Sequence, residues 1–224
     1  MAKRRKVAYI APFDSDKYYH VHNDGIDRRI LFSSKQDFDR FEAYLYLLNS
    51  TESPRAANFF TGNRQNEIFQ TGRGDKLIAL GAYSITPHEF HLLAVPLVDG
   101  GMGKFMQKLQ TGYTMYFNSK YQRMGRIFQS SYKAESARSA EHLKYMFCYI
   151  HLNPAQIFDK EWDSTNERSG LATHILRAMN YRYSSANEYT SQKFIITTPH
   201  EFPPYIRRVR DARAYLKLWS KFKE

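Results

Sequence analysis

Two apolar runs lie almost back to back in the middle of the chain: "KLIALGAYSIT" (76–86) and "EFHLLAVPL" (89–97), parted only by Pro87 and His88. Runs of this length are buried strands, either a pair or one long bent strand, and buried strands need a covering layer. The second run carries two polar residues, Glu89 and His91. In a strand, residues i and i+2 share a face. A carboxylate and an imidazole on one face of a buried strand suit a divalent cation. The same alternation also arises in an edge strand with one face in water. On this stretch alone both readings stand.

The segments around these runs are mixed. "KYYHVHNDGI" (17–26) alternates and ends in a turn signal, and "DRRILF" continues as a short extended piece. "SSKQDFDRFEAYLYLLNS" reads as a helix capped by Ser33 or Ser34, with Phe38, Phe41, Leu45 and Leu48 on one stripe. Residues 51–75 are polar and glycine-containing, which predicts a loop. "DGGMG" is a turn before a helix striped by Phe105, Met106, Leu109, Tyr113, Tyr116 and Phe117, which Gly125 can end. "RIFQSSYKAESA" predicts a strand plus loop, and "SAEHLKYMFCYIHLNP" a helix closed by Pro154. A short helix near 172–179, the turn-like "YRYSSANEY" and a basic amphipathic tail complete the chain. "PHEF" recurs at Pro199 in a proline-rich loop, as coincidence. Interspersed helices and few strands predict an α+β fold. We expect a ferredoxin-like antiparallel sheet with helices mainly on one face and a C-terminal basic helical extension. The expected organisation is a basic N-terminal arm (1–16), a catalytic domain (17–160) and an extension (161–224).

Composition narrows the partners. The formal net charge is +11. Such a charge favours polyanions, with nucleic acid first and an anionic membrane surface second. Apolar residues make up 42% of the chain, enough for a sizeable core, yet no run approaches the ~18 residues of a membrane-spanning helix. The single cysteine, Cys148, excludes an internal disulfide framework and a cysteine-based zinc site. It fits a cytoplasmic location. No membrane partner is expected, and the chain is a monomer or homodimer.

On the helix around Cys148, Leu143, Met146, Phe147 and Ile150 form the buried stripe. Tyr145, Tyr149 and Asn153 fall on another face at four-residue spacing. A tyrosine there is either an amphipathic boundary residue or a nucleophile that needs activation, since a free phenol has a pKa of about 10.

Five blocks in this order resemble the IS200-like, REP-associated tyrosine transposases, a branch of the His-hydrophobic-His single-strand endonucleases. They are "YYHVHNDGIDRRILFSSKQDFDRF", "YSITPHEFHLLAVP", "GKFMQKLQTGYTMYFNSKYQRMGRIFQSSYKA", "YIHLNP" and "YRYSSANEY". They span roughly residues 17–190, and "YIHLNP" after the other blocks is the most specific. The resemblance implies a DNA nicking and rejoining enzyme acting on single-stranded or hairpin DNA through a 5′-phosphotyrosine. It places Tyr149 on the nucleophile, Asn153 on a metal-assisting residue and His91 on the second histidine of the metal pair, with Mg²⁺ or Mn²⁺ as cofactor. The chain departs from the family at the first histidine, where Glu89 stands instead. His88 is one residue off and points the other way. Glu89 either supports the cation or, through its charge, leaves a hairpin binder that cuts weakly or not at all. A structured RNA-binding protein is the alternative from another class. His20 and His22 are expected to be structural or close to DNA rather than ligands. Lys104, Lys108, Lys120, Arg123, Arg126, Lys133, Arg207, Arg208 and Arg210 are the candidate DNA contacts, with Lys3 to Lys6 and Arg213 as further clamps.

Overall fold

The computed structural model describes residues 13–52, 60, 64–158 and 171–207. Strand β1 (Tyr19–Asp24), helix α1 (Lys35–Leu47), strands β2 (Ile78–Ile85) and β3 (Glu89–Pro96), helix α2 (Gly101–Lys120) and strand β4 (Lys133–Ser136) follow one another. The sheet order is β2-β3-β1-β4 with every neighbouring pair antiparallel. This β-α-β-β-α-β succession is the ferredoxin-like arrangement that the sequence predicts. The two apolar runs are a pair of strands, joined across Thr86, Pro87 and His88 by a hydrogen bond from the Thr86 amide to the Glu89 carbonyl (2.9 Å).

Alternation along the strands splits the sheet into two faces. Val21, Leu80, Phe90 and Leu92 point to one face and pack against Phe41, Leu45, Phe105, Leu109 and Tyr113 of α1 and α2. Ala79, Ala82, Leu93 and Val95 point to the other and meet Leu143, Met146, Phe147 and Ile150 of helix α3 (Ala140–Leu152). The expectation of helices mainly on one face holds for α1 and α2, and α3 adds a second layer. Helices α4 (Ala155–Phe158), α5 (Leu171–Met179), α6 (Ala186–Ser191) and α7 (Pro204–Arg207) follow α3, and residues of α5 to α7 join its apolar cluster. Phe202 lies on Gly81, where a Cβ would stand 2.6 Å from its ring. The outer edge of β2 is paired rather than bare: Ile85 N donates to Tyr183 O and Ser185 N to Tyr83 O. "YRYSSANEY" is therefore an edge cover as well as a turn.

Several local expectations change. "DRRILF" begins with a 3₁₀ turn at Ile26–Arg28, in which Asp27 and Arg28 take positive φ. The loop over 51–75 contains a 3₁₀ segment at Arg64–Gln70. Helix α2 stops at Lys120, and Gln122 takes a left-handed conformation before Gly125 is reached. Pro154 does not push Asn153 out of the α region: Asn153 keeps φ −48° and ψ −41°, and its amide still donates to Tyr149 O at 2.8 Å. The proline-rich loop with the second "PHEF" contains a 3₁₀ turn at Pro199–Glu201. The tail from 208 on, with Arg208, Arg210 and Arg213, and Lys3 to Lys6 of the N-terminal arm lie outside the described residues.

One buried carboxylate ties α1 to α2. Asp37, fully buried, caps α1 by accepting from the Ser34 amide at 2.9 Å. It also accepts from Tyr116 Oη (2.8 Å), Tyr121 Oη (2.7 Å) and Lys120 Nζ (2.6 Å). Burial alone would raise its pKa. Hydrogen bonds from Lys120, Tyr121, Tyr116 and the Ser34 amide outweigh burial and hold it well below the ordinary aspartate value. A carboxyl with a depressed folded pKa contributes stability that is complete above the unfolded value of about 3.9 and is lost as pH falls toward the folded one. Asp37→Ala removes the ion pair of Lys120 and the buried acceptor of Tyr116 and Tyr121, and should cost about 3 kcal/mol in urea unfolding at neutral pH. That deficit should shrink as the pH is lowered below about 4.

Candidate active site

Antiparallel pairing builds the site. β1 runs against β3 with His22 opposite His91 and Asp24 opposite Glu89. Directly opposed residues share a face, so His20, His22, Glu89 and His91 all project from the face covered by α3. β4 adds Lys133, opposite His22. From above, Tyr149 and Asn153 of α3 descend one turn apart, and the α conformation at Asn153 keeps both on the same side.

The four residues assigned from the resemblance come together. His91 Nε2 stands 3.1 Å from Glu89 Oε1. Asn153 Nδ2 lies 3.1 Å from Glu89 Oε1 and 3.4 Å from His91 Nε2. The Tyr149 ring meets the His91 ring edge-to-face, with centroids 5.7 Å apart. His88 is exposed and binds Arg28 O at 3.0 Å, away from the site, as its parity predicts. His20, expected to be structural or close to DNA rather than a ligand, lies against His91. Its Nε2 lies 2.8 Å from His91 Nδ1, and its ring is edge-on to Tyr149 with centroids 5.7 Å apart. His22 stacks on both His20 (5.0 Å) and His91 (5.2 Å). The signal was the His20, His22 pair at i, i+2, but only the β1–β3 register shows that it shares a face with His91.

Burial governs the electrostatics. Desolvation lowers His20 to about 2 and His22 to about 4, with the neighbouring imidazoles acting in the same direction, so both are neutral near pH 7. Desolvation raises Glu89, but hydrogen bonds from His91 and Asn153 outweigh it and bring its pKa to about 2. Tyr149 is raised above the ordinary phenol value, first by burial and then by the Glu89 charge, with a hydrogen bond from Asn153 acting the other way.

Among the described residues, no group of three or more histidine, cysteine, aspartate or glutamate side chains is arranged to hold a metal ion. A third donor comes only from Asn153. Its Oδ1 is buried and has no hydrogen-bond partner among the described residues. A half-turn of the amide leaves its outline unchanged and brings that oxygen to the side of Glu89 and His91. Donors in adjacent positions of an octahedral Mg²⁺ shell stand about 3 Å apart. The Glu89–His91 spacing of 3.1 Å matches this. A carboxylate oxygen, an imidazole nitrogen and an amide oxygen therefore fit a Mg²⁺ or Mn²⁺ ion.

The basic candidates divide. Lys104, Lys108 and Lys120 belong to α2, on the sheet face opposite the site. Lys108 Nζ is committed to Ser50 O (2.7 Å) and Glu52 O (2.6 Å), and Lys120 to Asp37. Arg123 is half-buried beside Phe117, while Lys104, Arg126 and Arg207 are exposed. Lys133 projects from the site face of the sheet, where it is exposed and 3.1 Å from Asp24.

No protein-family model matches the chain, and no curated protein sequence matches it. A solved structure of a REP-associated tyrosine transposase bound to a REP hairpin is similar over 95% of this chain and 93% of that one, at 11% identity and a TM-score of 0.46. At that identity no residue role transfers, so the site stands on its own geometry.

After burial, the Glu89 charge is the largest cause of the phenol's upward shift, and one substitution removes it. In ¹³Cζ-tyrosine NMR titrations, Tyr149 should titrate above pH 10 in the native protein and at lower pH in Glu89→Gln. An unchanged midpoint would mean that the carboxylate does not act on the phenol.

Proposed function

We propose that this protein is a metal-dependent single-strand DNA endonuclease and strand transferase that works through a covalent tyrosine intermediate. The observation that carries the reading is the meeting of Tyr149 and Asn153 on α3 with Glu89 and His91 on β3, in the roles the resemblance implies. The net charge of +11 suits a polyanionic substrate.

Glu89, His91 and Asn153 would hold a Mg²⁺ or Mn²⁺ ion, which supplies polarisation of the scissile phosphate and neutralises transition-state charge. The Tyr149 oxygen attacks phosphorus and gives its proton to solvent, and solvent returns a proton to the leaving 3′-oxygen. A bond forms between tyrosine and the 5′-phosphate, and the bond to the 3′-oxygen breaks, releasing a 3′-hydroxyl. Attack by another 3′-hydroxyl reverses the step and frees the tyrosine. The phosphodiester energy is kept in the phosphotyrosine, so no nucleotide cofactor is needed. Asn153 orients the phenol from one helical turn away, and the half-buried position of Tyr149 limits competing water. Lys133, opposite His22, would meet a phosphate of a strand crossing this face.

A second reading is a hairpin binder that does not cut, favoured by the negative Glu89 next to a phenol whose pKa is already raised. Incubation with single-stranded hairpin DNA and Mn²⁺ or Mg²⁺ separates the two. The enzyme gives a denaturation-resistant protein–DNA band that is absent in Tyr149→Phe, whereas the binder gives retention on native gels only. A band of full strength from Tyr149→Phe would remove the nucleophile assignment. Lys133→Ala should weaken binding of that DNA several-fold and reduce the salt slope by about 1. Lys120→Ala should act through stability, moving the urea midpoint and leaving the slope intact.

A further inference from the structure

A histidine that offers Nε2 to a cation must carry its proton on Nδ1, and that N–H needs an acceptor to hold the ring in place. At His91 the atom facing Nδ1 is His20 Nε2, at 2.8 Å. His91 is buried and 3% exposed, so water is a poor substitute. His20 is itself held: its ring stacks on His22 and His91 at centroid distances of 5.0 and 5.1 Å, and Tyr149 covers its edge. A neutral imidazole has one ring nitrogen free to accept, and at this contact that nitrogen is His20 Nε2. Glu89 pulls the other way, because its Oε1 lies 3.1 Å from His91 Nε2 and favours a proton there. His20 and Glu89 thus compete for the ring proton of His91, and the winner decides whether Nε2 is a lone pair or a donor.

We propose that His20 is the positioning partner of His91: its Nε2 accepts the His91 Nδ1 proton and so turns the His91 Nε2 lone pair toward Glu89 and Asn153. This rests on the metal-site reading above and assigns to the first strand a role in cation binding. His20 touches neither the cation nor DNA in this scheme, and acts only through the His91 ring.

The test uses the full-length protein without DNA. Mn²⁺ affinity is measured by EPR for the native chain, His20→Phe and His20→Gln. The phenyl ring keeps the stack and removes the acceptor, while the glutamine amide restores an acceptor. His20→Phe should bind Mn²⁺ about tenfold or more weakly, with most of the affinity returned in His20→Gln. Long-range ¹H–¹⁵N spectra of the native protein saturated with Mg²⁺ should show His91 protonated at Nδ1 and bare at Nε2. Native-strength Mn²⁺ binding by folded His20→Phe overturns the proposal, as does a His91 proton on Nε2 at saturating Mg²⁺. If His20→Phe does not fold, the native spectrum decides alone. A native chain that binds neither ion overturns the metal reading and this inference together, whereas native binding that is indifferent to His20 overturns only the inference.

Discussion

His22 stands directly across from His91, and that single pairing carries the rest of the site. Side chains alternate with period two along a strand, so a slip of one residue between β1 and β3 would exchange the faces. Glu89 and His91 would then point into the apolar layer under α1 and α2, and Phe90 and Leu92 would face α3. The register is held because Val21, Phe90 and Leu92 are fully buried on one side while Leu93 and Val95 are buried on the other. Core packing and site assembly are consequences of the same alternation. Strands β1, β3 and β4 and helix α3 with its C-cap Asn153 supply every group, and such regular elements hold side chains more rigidly than loops do.

Burial then gives each group its chemical character. In this partly dry layer, neutral His20 and His22 surround a carboxylate that stays ionised because His91 and Asn153 hydrogen-bond to it. Tyr149 sits beside that negative charge, which makes its phenol a poorer nucleophile in the protein alone. A cation between them would reverse the local balance, since a nearby positive charge favours phenolate and attracts phosphate. On the proposed reading, Glu89 would therefore tie cleavage closely to occupancy by the cation.

The basic residues show how little charge alone reveals. Lys120 is spaced along α2 like the other lysines, yet it reaches a fully buried aspartate and closes a cap between two helices. Lys108 serves two backbone carbonyls of the loop after α1. Lys133, on the short strand β4, stands opposite His22 and so projects from the site face. A lysine's role depends on which acceptor lies within its four-carbon reach, and that acceptor comes from a distant part of the chain.

Local sequence determined the elements and their parity. The periodicity of the α1, α2 and α3 stripes, the Ser34 cap and the two apolar runs specified helices and strands. The i, i+2 and i, i+4 spacings put Glu89 with His91 and Tyr149 with Asn153, and the α+β class followed from their order. Nothing local told how the strands pair, so His20 remained a residue of the first strand until its Nε2 came to 2.8 Å from His91. Nor did a local rule foresee Asn153, which stays helical before Pro154 because its amide still bonds back to Tyr149. Contacts across 71 residues, such as His20 with His91, depend on register and packing summed over the whole sheet. The tertiary structure decided those contacts because only burial of both sheet faces at once selects a single register.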